Sequence, residues 1–485
     1  RFAGIADSSS SIQINAGAQI NALNNGSSYV AMVAPRIVQG GTVNVDGSAA
    51  YVAAEQASLT INNGLFDISI GVGTSDANGV VHTGTTTGSA STPIFGQNGV
   101  IDADAQAIYM VAVPKNDALT MLVGGSIGYQ PAAAASIVNG NVVLSAGADV
   151  ATTGSQTNAS FAIDKTAADS DSNIQFQNAA FTSSVSSFAT NGIVAATASV
   201  SDFIIADSST GTQNLLLEAR NQIDINALGG GTIGANGNVT LRAGTDGIGG
   251  TININTDQIG FGDSIISGLI ATGDLIVDTS ATGRDDFDAV RNNGNTGIGQ
   301  NAIGGDININ INGGGDLVVG GVTTFNAGAQ GGKGEIQNGS GQAGNIIFNM
   351  DSGTAQFDGG ANFNAMVRNA SDGKIGGDGP SLLGSSSTAG NIDLNLTGGQ
   401  MSVAGNLGLT SYALGSSGAD SATAQNNAAT AGDINLTISG GNHDFGSLDF
   451  SAFASGGSSF DAAGNSMVGD VTRASVNLAI SNSGT

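Results

Sequence analysis

The 485-residue chain is 10% charged and 40% hydrophobic, with 77 glycines, 5 prolines and no cysteine or tryptophan. Its 12 basic and 38 acidic residues leave a formal net charge of -26, which repels phosphate backbones and anionic membrane surfaces and argues against nucleic acid as a partner. The lack of cysteine removes disulfide, thiolate-metal and redox chemistry, and no apolar run approaches the roughly eighteen residues of a membrane span.

The composition is too apolar for disorder and suits turn-rich β structure. The acidic residues are spread along the chain, so their first role is solubility and self-repulsion, with attraction of divalent cations as the alternative. The start, Arg1-Phe2-Ala3-Gly4, lacks a signal peptide's apolar core. An export signal is therefore expected to have been removed or to lie upstream of Arg1.

Residues 1–150 carry short alternating phrases. Tyr29-Val30-Ala31-Met32-Val33-Ala34-Pro35 is echoed by Tyr51-Val52-Ala53-Ala54, 22 residues on, and by Ile108-Tyr109-Met110-Val111-Ala112-Val113-Pro114. That spacing holds three short strands and three turns, the minimum for one coil of a parallel β-helix. Ser58-Leu59-Thr60-Ile61 and Asp67-Ile68-Ser69-Ile70 continue the alternation. A Thr-, Ser- and Gly-rich insertion is placed at 74–99. Pro35 and Pro114 are expected at strand ends, where a missing N–H costs no ladder hydrogen bond.

Gln19-Ile20-Asn21-Ala22, Val33-Ala34-Pro35, Gly41-Thr42-Val43, Tyr51-Val52-Ala53-Ala54 and Val142-Val143-Leu144-Ser145-Ala146-Gly147 together resemble the haemagglutination region of filamentous-haemagglutinin-type exoproteins. The resemblance covers about the first third of the chain, with scattered later coils such as Val239-Thr240-Leu241-Arg242-Ala243-Gly244. It implies a right-handed β-helix, an adhesin role and export by two-partner secretion through an outer-membrane partner. The Asn-Pro-Asn motifs usual in that family's secretion region are missing, since each of Pro35, Pro93, Pro114, Pro131 and Pro380 follows a residue other than Asn.

From 151 to 304 the pattern is less regular, with apolar islands at Ile174-Gln175-Phe176 and Phe203-Ile204-Ile205, and it sharpens at Leu215-Leu216-Leu217 and Ile223-Asp224-Ile225. From 305 to 485 one phrase recurs about every forty residues, the period of a stacked repeat. Its copies are Gly305-Asp306-Ile307-Asn308-Ile309, Gly344-Asn345-Ile346-Ile347-Phe348, Gly390-Asn391-Ile392-Asp393-Leu394, Gly432-Asp433-Ile434-Asn435-Leu436 and Ala474-Ser475-Val476-Asn477-Leu478. Apolar residues spaced by two describe a strand with one buried face. A second and a third strand follow in each copy, as at 317–319 and 322–325. A loop then falls in the same place, near 328–342, 369–389, 415–431 and 455–470.

Chemistry is sparse. The best catalytic candidate is Arg284-Asp285-Asp286-Phe287-Asp288 with Arg291, three acids able to hold a divalent cation or to serve a polysaccharide-degrading site. A solvated acidic loop is the plainer reading. His82 and His443 have no partner at metal-ligand spacing and read as surface histidines. Gly229-Gly230-Gly231 lacks the Gly-Lys-Ser/Thr that follows a phosphate loop, Pro380 breaks the calcium-binding nonapeptide pattern at Gly376-Gly377-Asp378-Gly379, and both read as turns. Asn308, Asn395 and Asn435 are expected to face outward and stack as amides, with an ice- or carbohydrate-binding face as the alternative.

The chain thus reads as all-β, a right-handed parallel β-helix with inserted corner loops. It is expected to act at the cell surface or outside the cell as an adhesin or adhesin shaft. Its partners would be a host, bacterial or abiotic surface, carbohydrate among them. Head-to-tail stacking into a filament or surface layer is one alternative, and a polysaccharide-degrading enzyme is another. No cofactor is implied, and no residue is assigned a catalytic, cofactor-binding or metal-ligating role.

Overall fold

The computed structural model describes residues 1–23, 28–62, 64–88, 94–95, 101–102, 106–115, 118–129, 140–153, 160–165, 171–197, 203–205, 213–228, 231–257, 268–286, 297–334, 337–368, 384–416, 428–460 and 466–481. Strands make up the regular structure of these residues, most of them in long parallel sheets. Among them no helix is long and apolar enough to cross a membrane. The chain divides into two compact units: residues 1–219, 224–240 and 260–272, and residues 220–223, 241–259 and 273–485.

In the second unit the recurring phrase forms a continuous parallel ladder. Thr251–Asp257, Ile307–Asn312, Ile346–Met350, Ile392–Leu396, Ile434–Ile438 and Val476–Ile480 pair in that order. Register follows burial: Ile307, Ile309 and Ile311 are buried while Asn308 and Asn310 are half-buried between them. A slip by one residue would turn every isoleucine outward. The second strands (Asp316–Val319, Thr354–Phe357) and third strands (Thr323–Asn326, Ala361–Asn364) stack in the same way. In the last two repeats these two merge into Gln400–Leu414 and Asn442–Ser455.

Three strands per repeat is corrected to five. A fourth column joins Ala281–Thr282, Ala329–Gln330 and Val367–Arg368 to the end of Gln400–Leu414. A fifth joins Ala302–Ile303, Gly341–Gln342, Ser387–Thr388, Ala429–Thr430 and Val471–Thr472. Two-residue strands are too short to show an alternation, which is why their ends of the expected loops read as loop. From the Ile307 strand onward the register step between anchors is 39, 46, 42 and 42 residues, and nearly all of that variation falls between the fourth and fifth columns; the step from Ile252 to Ile307 is longer, at 55.

The glycine opening each phrase has a packing reason. A Cβ on Gly344 would strike the carbonyl of Gly305, one on Gly390 that of Gly344, and one on Gly432 that of Gly390. Backbone lies directly on backbone here, so only hydrogen fits. Ala474 takes the position in the last repeat, whose strand is exposed and has one neighbour. Gly390→Ala is expected to destabilise the second unit by about 1–3 kcal/mol; an unchanged denaturation midpoint would show slack in the column.

In the first unit three parallel columns run side by side. Ser11–Ile14, Arg36–Gln39 and Val80–His82 form one, and Gln19–Ala22, Thr42–Val45 and Thr85–Gly88 the next. Tyr29–Ala34, Ser48–Ala53, Ala107–Ala112 and Asn141–Ala146 form the third. Two of these strands lie inside the stretch 74–99. Pro35 and Pro114 do follow strand ends.

The echo between the Tyr29 and Tyr51 phrases needs correction: Val33 pairs with Val52 and Met32 with Tyr51, a step of 19 rather than 22. The two differ by an odd number, so the tyrosines face opposite sides of the sheet. Tyr51 points into the core, while Tyr29 packs edge-on against Phe66 with centroids 5.8 Å apart. The phrases around Leu59 and Ile68 do not continue the parallel stack. Gln56–Asn62 and Leu65–Val72 form an antiparallel hairpin turning at Gly64 (φ 84). Phe2–Ala3 flanks it on one side, and Asp149–Thr153 with Ser160–Asp164 on the other. Its apolar face, with Leu65, Phe66, Ile68 and Val150, covers Tyr109 and Val143. Alternation identifies a half-buried strand but not the sheet it joins.

Candidate functional site

The outward Asn residues of the anchor strands do stack as amides. Asn310, Asn349 and Asn395 each donate Nδ2 to the Oδ1 of the Asn one repeat earlier, at 2.9, 3.0 and 3.0 Å. Beside them Asn308 donates to Asn253 at 3.0 Å and Asn435 to Asp393 at 2.7 Å. The Asx opening each phrase acts differently. Oδ1 of Asp306, Asn345, Asn391 and Asp433 accepts the backbone N–H of the corresponding residue in the next repeat, at 2.7–2.9 Å. These bonds hold Asp433 below the usual carboxylate range, with the Ser475 N–H and hydroxyl as donors. Along this face the polar groups bind one repeat to the next.

The acidic candidate is dispersed in the same manner. Asp285 Oδ1 accepts the Lys333 N–H at 2.6 Å, the Asp286 N–H donates to Lys333 O at 2.7 Å, and Arg284 pairs with Asp246 at 2.9 Å. Asp285 and Asp286 thus fasten one repeat to the next. Phe287, Asp288 and Arg291 lie outside the described residues, as do Gly229-Gly230 and Gly376 to Pro380. No group of three or more His, Asp or Glu able to hold a metal ion occurs among the described residues.

His82 is not a surface residue. It is fully buried in the first unit, with Nδ1 2.7 Å from Gly124 O and Nε2 2.8 Å from Thr86 Oγ1. A carbonyl only accepts, so Nδ1 carries the proton and Thr86 donates to Nε2. Tyr51 Oη, 2.8 Å from Thr86 Oγ1, then donates to that hydroxyl. Burial pushes the imidazole down to about 4 and the Tyr51 phenol up to about 12. The signal was present in Val80-Val81-His82, where alternation places His82 inward with Val80. His443 is half-buried, its Nδ1 accepting the Met401 N–H at 3.1 Å and its Nε2 2.7 Å from Gly440 O.

The arrangement best suited to a ligand is a groove on the second unit. Ladder pairing aligns Ser280, Gly328, Met366, Tyr412 and Phe453 in one outward column, and Thr282, Gln330 and Arg368 in the next. Gly328 interrupts the first column and leaves a hollow of about 250 Å³, lined by Ser280, Thr282, Asn326, Gln330, Met366 and Arg368 over an alanine and glycine floor. Arg368 is held from one side: its Nε–H donates to Tyr412 Oη, and its guanidinium carbon sits 5.3 Å from that ring's centroid. Tyr412 in turn stacks on Phe453 at 5.0 Å and 18°. None of the lining residues is acidic. Asp278, on the adjoining strand, is engaged by the Asn326 amide at 3.1 Å and the Ser280 N–H at 3.0 Å.

These residues were not singled out in the sequence, because they come from repeats tens of positions apart and meet only through stacking. Compared with protein-family models, with curated proteins and with solved structures, the chain matches none.

Proposed function

We propose that this chain is a right-handed parallel β-helix serving as a secreted or cell-surface adhesin, or as the shaft that presents one. What carries the reading is a stack of repeats that, from Ile307 onward, keeps its register and varies in length almost only between its fourth and fifth columns. Such a design keeps the core uniform and gathers variable sequence along one edge. The handedness follows from the strong right-handed preference of parallel crossover connections. A polysaccharide-degrading role is disfavoured by the engagement of the Asp285 carboxylate with the Lys333 N–H. The outer-membrane secretion partner rests on the family resemblance alone.

Replacing residues 370–383 and 418–427 with short Gly-Ser linkers leaves the flanking ladder strands in place. Surface attachment of the purified chain is expected to fall while its β-type circular dichroism is retained. Undiminished attachment would exclude these loops as the adhesive surface.

A further inference from the structure

We propose that the groove beside Arg368 binds a sugar ring bearing a carboxylate, displayed on a glycan; the choice of a glycan rests on the attachment function proposed above. The chain carries 38 acidic and 12 basic residues, yet among the described residues this hollow is lined by one guanidinium, four neutral polar side chains and no carboxylate. An anion is therefore favoured locally on a protein that repels anions overall. Arg368 is propped by Tyr412 through Nε, which leaves its two terminal nitrogens to meet the two oxygens of a carboxylate side by side. A side chain already held in place loses little freedom on binding.

The rest of the lining suits the remainder of such a ring. Ser280, Thr282 and Gln330 offer both donors and acceptors, which matches hydroxyl groups that are each donor and acceptor. A volume of about 250 Å³ is below the range of drug-sized pockets, so the hollow takes one ring and not a long segment. Farther along the same column Phe453 is 45% exposed and stacked on Tyr412, an apolar shelf for the next part of the chain. Gly328 is what opens the space, since its position in the column carries no side chain between Ser280 and Met366.

The test is calorimetric titration of the full chain with a glucuronate-terminated disaccharide, its neutral glucose-terminated counterpart and free acetate. The acidic disaccharide is expected to bind more tightly than either of the others. Arg368→Ala should weaken it at least about tenfold. Arg368→Lys keeps the charge without the planar fork and should fall between. Ser280→Leu should block the hollow with Arg368 untouched, and circular dichroism checks that each variant is folded. Equal binding of the acidic and neutral sugars, tight binding of acetate alone, no binding at all, or unaltered affinity in both Arg368→Ala and Ser280→Leu would each overturn the proposal. The same variants assayed for surface attachment separate the two ideas. Lost sugar binding with intact attachment refutes the groove as the glycan contact and leaves the adhesin reading standing. Sugar binding without any attachment does the reverse.

Discussion

Phe363→Ala is expected to cost the second unit about 3–5 kcal/mol of stability. Phe363 is fully buried on the third strand of its repeat, paired in the ladder with Phe325. Its ring lies 4.6 Å from that of Phe325 and meets Phe348 of the anchor strand edge-on at 6.0 Å. The substitution removes the contact between two strand columns and between two repeats at once, and the backbone ladder around it keeps the cavity from closing. Aromatic contacts of this kind add about 0.5–1.5 kcal/mol beyond the buried area. The outward neighbour Asn362 is the control: Asn362→Ala should change stability by no more than about 0.5 kcal/mol. Urea denaturation followed by circular dichroism reads both. Equal effects of the two substitutions would mean that the column is not the packing centre of this unit.

Acid is expected to weaken the first unit through His82. In the folded chain its imidazole titrates at about 4, against 6.5 for the free group, because burial disfavours the charged form. As pH falls below 6.5 the unfolded chain takes up a proton that the folded chain refuses until about 4. The unfolded state binds more protons across that window, so stability is complete above it and lost on the way down, by roughly 3 kcal/mol in all. Protonation would also put a hydrogen on Nε2, where Thr86 now donates, and reverse the chain that starts at Tyr51. His82→Gln removes the titration. Carboxylates dominate at the acid end, so the informative comparison is the difference in urea midpoint between wild type and His82→Gln from pH 7 to 5. Parallel curves over that range would show that the histidine does not govern the loss.

Much of this protein can be read from short-range rules. Composition excludes disulfides and argues against nucleic acid, and the spacing of Ile307, Ile309 and Ile311, repeated at Ile392, Leu394 and Leu396, defines strands with one buried face. Since side chains alternate with a period of two, the same pattern predicts the outward amides at Asn308, Asn395 and Asn435, and in Val80–His82 it puts His82 on the buried side with Val80. The anchor, second and third columns were all recoverable in this way. Pairing was not. A strand's alternation leaves open whether it joins a parallel ladder or folds back as Gln56–Asn62 does on Leu65–Val72. Matching letters set Tyr29 beside Tyr51, whereas packing set Met32 there. The fourth and fifth columns are two residues wide and carry no period to detect. The groove at Arg368 lies furthest from the sequence, because Ser280, Gln330 and Arg368 belong to three repeats and become neighbours only when backbone hydrogen bonds bring those repeats into register.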